Sequence, residues 1–232
     1  MTGTTALIAC LAVMVAVNAW VHLGPARWHP LTGPLAAAGL LALGRAAGLN
    51  WEQLGLGPGA LTRGLLWGGA AAGVVVGVYA VGLALPATRG RFRDERHRIG
   101  GRRASLLALL AIPLGTVVFE EVAFRGVLWG LLAADHGTTW AIALTSVLFG
   151  AWHVLPAIDG ARKNSPDGRV PRGVMVREVI GTVAFTAVAG LFFAVLRDRS
   201  DSLVSPALLH WATNGLGVLG AALAWRLLDD RD

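Results

Sequence analysis

Seven apolar stretches, most of them close to or longer than the ~20 residues that a helix needs to cross a bilayer, limit what this chain can fold into. They fall near 5–23, 31–49, 64–86, 104–134, 138–156, 176–197 and 204–228, with the fifth the shortest. A mean hydropathy of +0.60, 55% hydrophobic residues and only 15% charged ones agree with a polytopic membrane protein. The expected fold is therefore all-α, a transmembrane bundle of about seven helices. The first stretch does not read as a cleavable signal peptide, because no basic segment precedes it. The single cysteine, Cys10, excludes an intramolecular disulfide and a cysteine-rich metal site. It reads as a small buried residue.

Charge sets an expected orientation. Arg27, the run Arg89–Arg103, the stretch from Arg162 to Arg177, and Arg226 with Arg231 hold fifteen basic residues at one side. The other side has four: Arg45, Arg63, Arg197 and Arg199. By the positive-inside rule the first side is cytoplasmic, which leaves the N-terminus outside and the C-terminus cytoplasmic. The formal charge of +6 is read as an attraction to anionic lipid headgroups and not to nucleic acid, because the arginines flank membrane spans. The run Arg89–Arg103 is expected to be a solvated loop, and the polar stretch Asn164–Gly168 a mobile one. Asn18, Trp20, His22, Trp28 and His29 are expected to anchor the first two helices at the interface. Gly69, Gly73 and Gly77, four apart, predict a close-packing helix face within the bundle.

Within the fourth stretch stands Phe119-Glu120-Glu121-Val122-Ala123-Phe124-Arg125-Gly126. Each charge at mid-bilayer costs about 2.5–3.5 kcal/mol on insertion scales, so such groups face a protein interior and have partners. Glu121 and Arg125 are four apart and share a helix face. Glu120 points about 100° away, without a local cation, and is the carboxylate available for chemistry. Pro113 is expected to disturb the helix just before this site. His153 closes the fifth stretch, and His210 and Asn214, again four apart, share a face of the seventh. Counted from the turn Asp135-His136-Gly137, Glu120 and His153 lie at about 21–22 Å depth, whereas His210 counted from its own loop lies near 10 Å. Tilt, or a recessed hairpin between the last two helices, has to absorb that difference.

These residues resemble the CAAX-protease and bacteriocin-processing family, also called Abi, of intramembrane endopeptidases. Glu120-Glu121-x-x-x-Arg125 matches EExxxR, Phe149-x-x-x-His153 matches FxxxH, and His210-x-x-x-Asn214 matches HxxxN, in order and on separate helices. The resemblance covers 104–228 as a catalytic core. Residues 1–103 supply N-terminal helices and the basic loop. It implies hydrolysis of a peptide or protein substrate, membrane-associated or lipidated, by a water that Glu120 activates with help from His153. His210 and Asn214 would stabilise the oxyanion, while Glu121 and Arg125 hold the helix. Glu120, His153 and His210 would also make a zinc set with an open fourth position, so the cofactor is left open between none and Zn2+. A non-catalytic membrane scaffold or immunity protein, and a proton-coupled transporter, are the alternative functions.

Overall fold

The computed structural model describes residues 2–25, 29–165 and 167–229. Among them the chain is helical, with no β-strand, in eight main helices. These are α1 (Gly3–Leu23), α2 (His29–Ala46), α3 (Ala60–Ala84), α4 (Gly101–His136), α5 (Thr138–Trp152), α6 (Val154–Lys163), α7 (Arg172–Ser200) and α8 (Val204–Asp229). Six segments are long and apolar enough to cross a membrane, with α5 and α6 counted as one. The second expected span, α2, has only a shorter apolar helix, Leu31–Ala46, and contains Pro34. The protein is an integral membrane helix bundle. Arg27, Trp28, Pro166 and Arg231 lie outside the described residues, as does the side chain of His29.

The second half of α4 is the centre of the bundle. Every residue from Phe119 to Leu132 is buried. A helix covered on all sides has neighbours all round, and here α1, α2, α5, α7 and α8 surround it. Pro113, which has no N–H to donate, starts one of three π-helical stretches in α4: Leu107–Ala111, Pro113–Val117 and Val122–Leu128. The expected disturbance is thus a widening of turns.

Successive connections fall at opposite ends. At one end Leu203 N–H donates to the Gly55 carbonyl (2.9 Å) and Ser202 Oγ to that of Ala60 (2.6 Å). Ser200, Ser202, Leu203 and Ser205 are all buried, so the α7–α8 hairpin is recessed beneath the connector that precedes α3. That recess absorbs the depth mismatch of His210. Arg197 is not a flanking surface charge. It is 1% exposed, and its guanidinium donates to the carbonyls of Arg125 (3.2 Å), Glu52 (3.3 Å) and Gln53 (3.0 Å).

One other expectation fails. A Cβ on Gly69, Gly73 or Gly77 would meet nothing within 4 Å, so that stripe faces away from the bundle. The close approach uses Gly64 and Gly68 instead, where a Cβ would strike the Ser202–Ser205 turn, because α3 packs against α8 with that face. The arginine run, with Arg91, Arg93, Arg96 and Arg98 exposed, is also folded against the bundle. The Trp225 indole donates to the Asp94 carbonyl (3.1 Å), Arg93 lies over the Trp225 ring (4.7 Å), and Phe92 packs on Tyr79 (5.3 Å). Aromatic rings on α3 and α8 give the run a surface on which to fold.

Candidate active site

On α4, Glu121 Oε1 accepts from Arg125 Nη1 at 3.2 Å and lies 2.7 Å from His210 Nδ1 on α8. Arg125, fully buried, also donates to the Gly190 carbonyl of α7 (3.2 Å) and lies over the Phe149 ring of α5 (4.1 Å). A buried guanidinium needs a partner for its charge. Glu121 supplies it, the Gly190 carbonyl accepts a further N–H, the rings cover the guanidinium face, and Nε has no hydrogen-bond partner. The His210 ring stacks on Phe193 (5.0 Å, 22°) and meets the Phe149 ring edge-on (5.8 Å). Three helices are fixed to α4 by this one cluster.

Glu120 is placed differently. Its Oε1 accepts from the Trp152 indole N–H at 3.0 Å. Its Oε2 is buried, has no hydrogen-bond partner in the protein, and lies 3.7 Å from His210 Nε2. Trp152 is itself held: its carbonyl accepts from Asn18 Nδ2 of α1 (3.1 Å), and its ring packs against Phe119 (5.8 Å) and Phe124 (5.7 Å).

His153 sits at the break between α5 and α6 (φ −86°, ψ 7°). Its Nδ1 is 2.8 Å from the Phe149 carbonyl, which can only accept, so Nδ1 carries the hydrogen and Nε2 is left to accept. Glu120, Trp152 and His153 line one cavity of about 260 Å3, and α1 closes it with Asn18 and His22. His22 meets Asp159 of α6 at 2.6 Å. Asn18 and His22 therefore wall the site; Trp20, 42% exposed, is on the surface.

The structure thus gathers Glu120, Glu121, Arg125 and His210, and sets His153 on the same cavity as Glu120. It does not bring Asn214 to them: Asn214 is exposed and lines another cavity. Nor do the residues fit a metal. Among the described residues no three His, Cys, Asp or Glu side chains converge enough to hold one. His210 is engaged by Glu121, and His153 is turned to its own backbone. Sequence reasoning missed Trp152, Asn18 and Arg197. A tryptophan or asparagine inside an apolar span needs a partner for its polar atoms, and that was the available signal.

Residues 102–216, about half the chain and all three motifs, match the family described as Type II CAAX prenyl endopeptidase Rce1-like. This core belongs to the CAAX-protease and bacteriocin-processing family. The family is one of CAAX-type intramembrane endopeptidases. A relative from Escherichia coli, an uncharacterized 24.3 kDa protein, is 30% identical over 153 residues, 65% of this chain. The aligned part spans 61% of that relative's length. No solved structure matches significantly. Helices α1 to α3 lie outside the family match, yet α1 walls the cavity that holds Glu120.

Proposed function

We propose that the protein is an intramembrane endopeptidase in which Glu120 activates the attacking water. The observation that carries this reading is the division of the two carboxylates. Glu121 is bound to Arg125 and His210 and lines no cavity, while Glu120 is bonded to the Trp152 indole alone and lines the cavity it shares with His153; each carboxylate leaves its Oε2 without a hydrogen-bond partner. A water in that cavity gives a proton to Glu120 as its oxygen attacks the scissile carbonyl carbon. The proton then passes to the amide nitrogen as the C–N bond breaks, leaving an acid and an amine. Glu121 holds His210 in place by accepting from Nδ1. His153 presents Nε2 to the substrate from the same cavity.

A neighbouring groove supports a membrane-associated or lipidated peptide as substrate. It holds about 510 Å3, is lined by Leu106, Leu110 and Leu114 of α4, and shares Val21, Gly115 and Thr116 with the catalytic cavity. An apolar substituent seated there stays in a lipid-like environment while the peptide bond reaches Glu120. The arginine-rich end is assigned to the cytoplasm by the positive-inside rule. In a Cys10→Ala background, cysteines at positions 137 and 167 should be labelled from opposite sides of sealed vesicles. Labelling from the same side refutes that topology.

The decisive experiment compares wild type and Glu120→Gln in proteoliposomes, with a fluorogenic peptide pool and chelator present. Glutamine retains the Trp152 contact but cannot take a proton. Cleavage should fall by about 10²–10⁴-fold while the melting temperature holds. Wild-type turnover by the glutamine variant would falsify the assignment.

A further inference from the structure

Asn214 follows His210 by one turn but opens into a cavity of about 740 Å3, away from Glu120. The folded arginine run forms its wall: Arg91, Arg93 and Arg96 line it beside Tyr79, Asn164 and Asn214. The carboxylates that face it are Asp94 and Glu95. Asp94 is already occupied, by Arg96 at 2.6–3.1 Å and by His97 at 3.4 Å. Among the described residues neither Arg91 nor Arg93 makes an ion pair. Two guanidinium groups therefore stand against the single carboxylate of Glu95. Planar guanidinium forks match carboxylate geometry and the amide of Asn214 adds a donor, so this wall suits an anion.

The cavity shares walls with the space next to the catalytic one. A second space of about 700 Å3 shares Arg96 and Asn164 with it, and shares His153 and Pro156 with the cavity of Glu120. A peptide whose scissile bond lies at Glu120 can run past His153 into the arginine wall.

We propose that this cavity is a subsite for an acidic segment of the substrate, whose carboxylates pair with Arg91 and Arg93 and hydrogen-bond to Asn214. The proposal rests on the peptidase reading and names the charge of its substrate.

The test uses the Glu120→Gln full-length protein in phosphatidylcholine nanodiscs, which binds without needing to cleave. Two peptide pools are matched at every position, but one has Glu and a free terminal carboxylate where the other has Gln and a carboxamide. The acidic pool should be retained about tenfold better, the scale of one charge-assisted hydrogen bond. That preference should vanish in Arg91→Gln/Arg93→Gln and persist in Arg102→Gln, a change outside the cavity wall. Equal retention of the two pools, or a preference that survives the double substitution, overturns the subsite. Phosphatidylglycerol retained by this protein, lost in the double variant and accompanied by no peptide preference, makes it a headgroup site and overturns it as well. Failure of the peptidase reading is seen separately, as absent cleavage by wild type in the same discs.

Discussion

At the end of the bundle formed by residues 49–60 and 200–205, polar groups are turned inward and satisfied. Arg197 donates to three carbonyls, Arg63 donates to those of Ser200 (2.9 Å) and Asp201 (3.3 Å), and Ser200 and Ser205 bond each other. At the opposite end Arg89 also donates to carbonyls, those of Leu83 (2.8 Å) and Ala84 (3.2 Å), but Arg93 lies over a ring, Arg96 pairs with a carboxylate, and two cavities of 700–740 Å3 open between the helices. The first end is sealed by arginine and the second is held open around it. Guanidinium groups that spend their donors on backbone carbonyls close a structure, while those resting on aromatic faces keep their edges available to a ligand. On the proposed peptidase reading, a polar peptide would reach Glu120 from the second end.

The largest effect should come from breaking the seal. Arg197→Met strands the carbonyls of Glu52, Gln53 and Arg125, at about 1–3 kcal/mol for each buried group, so a loss of about 3 kcal/mol or more is expected in thermal or denaturant unfolding. A stability like that of wild type would mean that this end is not closed by Arg197. Next comes the centre. Trp152→Phe retains the ring packing and removes the donor to Glu120, and should lower kcat about tenfold with KM little changed. A change confined to KM would assign the indole to substrate contact.

Smaller effects distinguish the two faces of α3. Gly68→Ala places a methyl group 2.8 Å from the Ser205 backbone and should cost about 1–3 kcal/mol. Gly69→Ala, which meets nothing, should be neutral or stabilise by up to about 1 kcal/mol through helix propensity. Equal losses would show that Gly69 also packs.

The open end should respond least. Hydrogen bonds from Arg96 hold the Asp94 carboxyl below its ordinary range. Its stabilisation is therefore complete above the unfolded-state pKa and is lost as pH falls through the lower folded-state value. Asp94→Asn should cost no more than about 1 kcal/mol near neutrality. In melting scans that loss should disappear at acid pH, and a loss that persists in acid would contradict an electrostatic origin.

The spans were legible because apolar length is a direct physical requirement, and Glu120, Glu121 and Arg125 stood out because charge within such a run is costly. Arg197 was not legible, since an arginine at the end of an apolar stretch looks the same whether it faces water or a neighbouring carbonyl. The spacing of Gly69, Gly73 and Gly77 shows that one face of α3 is smooth, but not whether a partner lies against it. Asn214 shares a helical face with His210, yet one turn displaces it by about 5.4 Å, enough to put it in a different cavity. Trp152 was hidden beside His153, because its ring is apolar and only its N–H joins the site.

The π-helical turns of α4 give the central helix spare length. Each closes its hydrogen bonds five residues apart instead of four, and so holds a residue that an α-helix of the same height lacks. Losing one residue from Leu107–Ala111 can be absorbed by tightening that turn, and the carboxylates keep their heading. In a uniform α-helix the same loss would swing everything beyond it by about 100°. A deletion scan along α4 should therefore find tolerance in an unlikely place, a few residues from the most exacting positions of the chain.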